Sequence, residues 1–321
     1  MKKSSLMAAL SSQGVLIALA ALIIFGWLRY DHFLGLFNIS TVLRYNSMFA
    51  LVALGMCFVI MTGGIDLSVG GTAALGSVVA ALLSPYGVIA GTLGGVGAGL
   101  SVGILSGAII VRLRILPFIT TLAAMLAAYG VALLLAKDQS VSVSYESGFT
   151  NLGQNDFFNV PIPAIIAIVA YVAGSIALNY TSAGRTVLAI GGNEDASRLM
   201  GLPVDRIKFF VYVVSGGLSG LAGVILASQF GAGQPIEGVG WELFAIASVV
   251  VGGTLLTGGV GSVGATLAGV LLLGLIFNVL NFENGLGWIS LSAYWQSVIR
   301  GIFLLFVVIL QSRLIARQET E

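Results

Sequence analysis

Apolar residues fill this chain in long runs, and short polar segments between them carry most of the charge. The runs fall at about 13–28, 46–62, 67–84, 88–111, 115–136, 161–180, 209–228, 243–257, 260–282 and 294–312. A helix needs about 20 mostly apolar residues to cross a bilayer, and only helices satisfy their own backbone in lipid. The pattern therefore predicts an all-α membrane protein of about ten transmembrane helices, with residues 1–321 forming one polytopic domain. A transmembrane β-barrel would alternate in segments of about ten residues, and this chain does not. The first run, behind Met1-Lys2-Lys3, continues through Trp27, too long for the apolar core of a signal peptide. It is read as an uncleaved first span. The segment 137–160 holds Asn, Gln, Ser and aromatic residues but few aliphatic ones, which makes it a loop rather than a domain.

The largest polar island, 184–208, interrupts the sixth and seventh runs. Arg185, Arg198, Arg206 and Lys208 place it on the cytoplasmic side by the positive-inside rule. With ten crossings and a cytoplasmic amino terminus, Lys2, Lys3, Arg112, Arg114, Arg313 and Arg317 share that side. Arg29, Arg44 and Lys137 fall opposite, with Asp31, Asp138, Glu146, Asp156 and Glu283. Both termini are expected to be cytoplasmic. A short helix lies within the island. Asn193 suits its N-cap, Glu194 and Asp195 its first turn and Gly201 its C′ position, and Pro203 blocks continuation. So short a helix is not stable alone in water. Ala196, Leu199 and Met200 form its apolar face, which must rest on something: its own bundle or a soluble partner.

Composition agrees with membrane residence and narrows the chemistry. The chain is 58% hydrophobic and 8% charged, with a mean hydropathy of +1.05. Its net charge of +1 gives no case for nucleic-acid binding. Cys57 is the single cysteine and His32 the single histidine, so no internal disulfide forms and no zinc or haem site is expected. The 44 glycines permit close helix packing and broken segments.

Glycine-rich interruptions recur. Thr62-Gly-Gly-Ile-Asp-Leu-Ser-Val-Gly70 echoes Thr257-Gly-Gly-Val-Gly-Ser-Val-Gly264, and each lies between two apolar runs. Paired interruptions mark transporters with internal repeats, although glycine-rich turns also resemble one another by chance. Asp66 has apolar sequence on both sides. Intramembrane acids mark functional sites, and Asp66 also stands where it can cap the helix beginning near Leu67. Glu242 and Arg300 either snorkel to the outer interface or pair across the bundle. Asn46, Gln229, Asn278, Asn281 and Gln296 are candidate pathway residues that serve equally well as helix-to-helix hydrogen-bonding groups. None of Lys2, Lys3, Lys137 and Lys208 follows a glycine, so no Walker A motif exists. Gly99-Leu-Ser-Val-Gly103 matches a hydrolase elbow but lies inside an apolar run. Gly217-Leu-Ser-Gly220 resembles a rhomboid protease motif without the later histidine that chemistry needs.

Together these motifs resemble a known family. Met61-Thr-Gly-Gly-Ile-Asp-Leu-Ser-Val-Gly-Gly71, carrying Gly63, Gly64, Asp66, Ser68 and Gly70, is similar to the signature of permease subunits of bacterial ABC importers for monosaccharides of the ribose, xylose, arabinose and galactose type. Ala189–Leu202 resembles that family's cytoplasmic loop. Ser215–Gly223 and Ala245–Ser262 match as well, and the resemblance runs from about Asn38 to Gln311. The stretch 238–261, with Asn281-Phe282, is most similar to one permease of the galactofuranose importer.

The resemblance implies a permease that pairs with a second permease, alike or different, in the bacterial inner membrane. A periplasmic sugar-binding protein and an ABC ATPase subunit would be its partners. ATP and Mg would sit on the ATPase, leaving no cofactor, metal or catalytic residue on this chain. Asn193, Glu194, Asp195, Ala196, Arg198, Leu199, Met200 and Gly201 would form the helix that couples to the ATPase. The alternative from another class is an ion-coupled secondary transporter using Asp66, Glu242 or Arg300.

Overall fold

The computed structural model describes residues 2–285 together with 295, 298, 299, 301 and 302. The tenth apolar run, with Gln296, Arg300, Arg313 and Arg317, lies almost wholly outside the described residues. Helices dominate: α1 (Lys2–Arg29), α2 (Leu36–Met61), α3 (Val69–Leu83), α4 (Val88–Arg112), α5 (Pro117–Ala136), the single turn α6 (Asn151–Gln154), α7 (Ile162–Tyr180), α8 (Ser182–Gly192), α9 (Glu194–Leu199), α10 (Val204–Phe230), α11 (Trp241–Val251) and α12 (Val263–Gly285). Among the described residues, seven helical stretches are long and apolar enough to cross a membrane, and Gly14–Arg29 and Trp241–Val251 are shorter apolar ones.

The eighth expected run departs from a simple span. Helix occupies only the 11 residues Trp241–Val251, and 252–262 form tight turns. Gly253, Gly258 and Gly259 adopt positive φ there. At 1.5 Å per residue such a helix covers about 16 Å, roughly half of a bilayer core. The run 243–257 is hydrophobic throughout, but its carboxyl-terminal half is not helix.

α2 and α10 form the centre of the bundle. From Asn46 to Met61 every α2 residue but Phe49 is buried, and Leu51, Leu54, Met56 and Ile60 are among the largest fully enclosed side chains. α10 packs on α4 along a seam of small residues. Gly95, Gly99 and Gly103 of α4 recur every fourth position and lie against Gly216, Gly220 and the Tyr212 backbone. A β-carbon at Gly99 would sit 2.7 Å from the Gly220 Cα. Lipid tails are as apolar as leucine, so this close backbone contact, rather than escape from water, holds two such helices together.

Two groups of connecting segments mark the two ends of the bundle. At one end Arg44 of α2 pairs with Asp156 at 2.5 Å, Tyr30 donates to Glu283 at 2.6 Å, and strand β1 (Val141–Ser142) pairs with Ala232–Gly233. Strand pair Asp156–Phe157 and Val160–Pro161 closes the same region. At the other end the Gly259 amide donates to the Met61 carbonyl at 3.0 Å, and Gly191 of α8 packs against both residues. Arg114 lies near Asp205 there. The echoing glycine-rich loops 62–68 and 257–261 therefore meet each other, on the end that carries α9.

Candidate functional site

α9 is built as its sequence predicts at both termini. Asn193 is extended (φ −164°, ψ 109°) and its Oδ1 accepts from the Ala196 amide at 2.8 Å, leaving one fewer orphan donor. At the carboxyl end Gly201 takes φ +76°. Its amide donates to Arg198 O at 3.0 Å and the Leu202 amide to Ser197 O at 3.1 Å, the paired bonds of a Schellman motif. Two ion pairs brace the helix against α10, Arg198–Asp205 at 2.5 Å and Lys208–Glu194 at 2.8 Å, and Arg198–Glu194 at 3.0 Å links them within α9. Partial burial pushes Glu194 upward, but the hydrogen bonds from Lys208 and Arg198 prevail and hold its carboxyl below the usual carboxylate range. The Arg198 hydrogen bond lowers Asp205 in the same way, and Asp205 raises Arg198.

Of the two supports the sequence leaves open for the apolar face of α9, the chain's own described residues do not cover Leu199 and Met200. Ser197 is the buried residue of the helix; Leu199 is 90% exposed and Met200 67%. Caps and ion pairs, not apolar packing on the chain's own bundle, fix the helix. Its two largest apolar side chains are left outward on a rigid mount.

The signature loop lies under this mount. Asp66 is 2% exposed and accepts three hydrogen bonds. Its Oδ1 takes the Ser68 amide at 3.0 Å and the Ser68 hydroxyl at 2.6 Å, and its Oδ2 takes the Ser215 hydroxyl of α10 at 2.7 Å. Ser68, not Asp66, occupies the N-cap position of α3. Asp66 instead fixes the loop ahead of it and ties that loop to α10. Gly63 turns the chain with φ +79°, and Gly64 lies directly under the Tyr212 hydroxyl. Gly70 meets the Gly238 carbonyl so closely that no side chain fits. Ser215 is the member of this set not singled out in the sequence. Only the Ser215–Gly223 motif offered a signal for it, because its partner is 149 residues away.

Gly70 also marks where the starts of two helices meet. α3 starts at Val69 and runs toward the far end, while α11 starts at Trp241 and runs toward the α9 end. Trp241 packs on Phe49, halfway along α2, with ring centroids 4.9 Å apart. Gly71 lies against Tyr129, near the middle of α5. Both helices thus begin near mid-depth. Glu242 sits there beside Gly70 rather than at an outer interface, and its proposed partner Arg300 lies outside the described residues.

Four of the five amide candidates are described, and these do not converge. Asn46 is buried, donates to Val42 O of its own helix at 2.8 Å and abuts Gly274 of α12. Asn278 exchanges hydrogen bonds with Asn38 at 2.8 and 3.2 Å, joining α12 to α2. Gln229 is at the far end of α10, where Gly153 packs on its backbone. Asn281 is exposed near the end of α12, and Gln296 lies outside the described residues. Asn46 and Asn278 thus hold helices together, and their hydrogen bonds are made within the bundle.

A bundle of membrane helices with a braced, outward-facing helix at one end and two broken elements at its middle has the build of a transport permease. Comparison of the sequence with known proteins names the family: residues 38–308 match the model described as branched-chain amino acid transport system / permease component, and the chain belongs to that family. The ribose import permease protein RbsC of Bacillus subtilis (strain 168) is 37% identical over 303 residues, covering 94% of this chain and 92% of that one. The RbsC protein of Escherichia coli (strain K12) is 36% identical over 313 residues, covering 95% and 94%. The L-arabinose transport system permease protein AraH of Escherichia coli (strain K12) is 37% identical over 298 residues, covering 92% and 89%. No solved structure matches the chain.

Proposed function

We propose that this chain is the membrane subunit of an ATP-driven importer for a monosaccharide, a pentose or hexose with galactofuranose among the cargoes, delivered by a periplasmic binding protein. A separate ATPase subunit docks on α9 and carries the ATP and Mg. The chain itself performs no covalent chemistry. It sits in the bacterial inner membrane with both termini and α9 in the cytoplasm, paired with a second permease.

One observation carries the reading: Leu199 and Met200 stand exposed on a helix whose two ends and flank are fixed by its own chain. A rigid apolar knob of that kind transmits force when a partner groove moves. The route inward is short. Glu194 and Arg198 hold α9 to Lys208 and Asp205 at the start of α10. Ser215, farther along α10, holds Asp66, and Asp66 fixes the loop that begins α3. Displacement of α9 would reach the meeting point of α3 and α11 through groups in direct contact. The similarity to ribose and L-arabinose permeases supports the cargo class. Of the coupling groups named for an ion-coupled transporter, Asp66 has both oxygens engaged within the bundle.

Purification from the native membrane in mild detergent, with mass spectrometry of the co-purifying chains, tests this. An ATPase subunit with Walker motifs, and ATP-dependent uptake of a monosaccharide by the reconstituted complex, is the expected result. Uptake by the chain alone, driven by an ion gradient, would overturn it.

A further inference from the structure

The break at mid-depth carries an inference about the passage itself. Between Gly233, which packs on Ser77 of α3, and Trp241 the chain is not helical, and it descends beside α3 until Gly238 meets Gly70. Non-helical backbone at membrane depth is tolerated only inside protein or along water. Among the described residues nothing encloses this stretch fully: Ile236 is 66% exposed, Val239 72% and Leu243 47%, and Glu237 is exposed among them. A carboxylate at mid-depth is costly against lipid and faces a bundle interior or an aqueous cavity instead. Behind the break Glu242 is half-buried, and its Oε2 has no hydrogen-bond partner among the described residues. The Tyr129 hydroxyl is in the same condition and lies near both Glu242 and Glu237. Gly70, pressed against the Gly238 carbonyl, adjoins Glu242 Oε2, and Gly71 adjoins the Tyr129 ring, so consecutive residues of α3 touch both groups. Buried polar atoms are normally paired, so Glu242 Oε2 and the Tyr129 hydroxyl are atoms a transient ligand satisfies.

We propose that the 236–243 face lines the water-filled passage and that Glu242 and Tyr129 bind hydroxyl groups of the solute at its midpoint. The solute class is a neutral polyhydroxy compound. Carboxylate and phenol accept from and donate to hydroxyls, and an aromatic ring flanks the apolar face of a sugar. This rests on the importer reading and adds to it where the cargo passes.

The test uses the assembled complex in proteoliposomes, in a Cys57→Ala background. Cys57 is buried, so its loss leaves no other thiol in this chain. Val239→Cys and Ile236→Cys are exposed to a membrane-impermeant thiol reagent with and without D-ribose or L-arabinose. Labelling that sugar slows is the expected result. Glu242→Gln and Tyr129→Phe should each raise the KM for uptake by about tenfold, the loss of one hydrogen bond. Failure to label, or disulfide formation between two permease copies through position 239, would make this face a subunit contact and overturn the proposal. Labelling indifferent to both sugars, with both sugars transported, would overturn the binding role. A wild-type complex that hydrolyses ATP but imports neither sugar overturns the cargo class alone. Water access at position 239 then still upholds the course of the passage.

Discussion

The Ser215 hydroxyl donates to Asp66 Oδ2 at 2.7 Å, joining the middle of α10 to the loop between α2 and α3. Both side chains are buried, Ser215 completely. Replacing Asp66 by Ala strands the Ser68 amide and two hydroxyls away from water, at about 1–3 kcal/mol for each group left unsatisfied. Asp66→Asn keeps an acceptor for Ser68 and offers a donor to Ser215. Thermal unfolding in detergent should therefore show a large loss for Asp66→Ala and a small one for Asp66→Asn, with uptake retained by the Asn variant. Intact folding with abolished uptake in Asp66→Asn would restore the ion-coupled reading.

The α4–α10 seam gives a contrast within one helix. Gly99 lies against Gly216 and Gly220, and a β-carbon there has no room against fixed backbone. Gly97, two residues away, meets nothing within 4 Å. Gly99→Ala should force the helices apart and cost several kcal/mol, as overpacking does, about 1–3 kcal/mol or more. Gly97→Ala should be neutral or stabilising by up to about 1 kcal/mol through helix propensity. Denaturation midpoints of the two variants in one detergent decide it.

The ion pairs of α9 set a pH response. Glu194 and Asp205 both titrate below ordinary carboxylates because Lys208 and Arg198 bond their charged forms. The folded state therefore binds fewer protons than the unfolded one in that range. Their stabilisation is complete above the ordinary carboxylate value, about 4, and is lost as pH falls through the lowered folded values. Because these side chains are largely exposed, each pair contributes only about 0.2–1 kcal/mol and salt screens it. Protection factors for the amides of Glu194–Leu199, taken against the intrinsic exchange rate at each pH, should fall below pH about 4 and in roughly 1 M salt, with α2 unchanged.

Much of this was legible in the sequence because it is local. The Asn193 cap, the Gly201 turn and the Pro203 stop act within a few residues, and α9 follows them. The apolar runs locate the long helices, although α1 and α2 begin about ten residues before their runs at Lys2 and Leu36. Hydropathy records what side chains prefer, not whether the backbone is helical. It therefore read 243–257 as one span where Gly252 and Gly253 end the helix. Nor does it record which face is covered. Ala196, Leu199 and Met200 have the spacing of a packed stripe, yet ion pairs hold the helix and Leu199 stays outside. The Asp66–Ser215 and Gly70–Gly238 contacts join residues more than 100 positions apart, which no local pattern encodes.

The central claim is that α9 is the point where an ATPase drives this permease. Leu199→Asp with Met200→Asp changes two exposed side chains, so folding stability should move by no more than about 0.5 kcal/mol. The decisive measurement is sugar-stimulated ATP hydrolysis and uptake by the complex reconstituted with this double variant. The account predicts that both fall to background while the variant permease remains folded and inserted. Wild-type coupling in the double variant would contradict it.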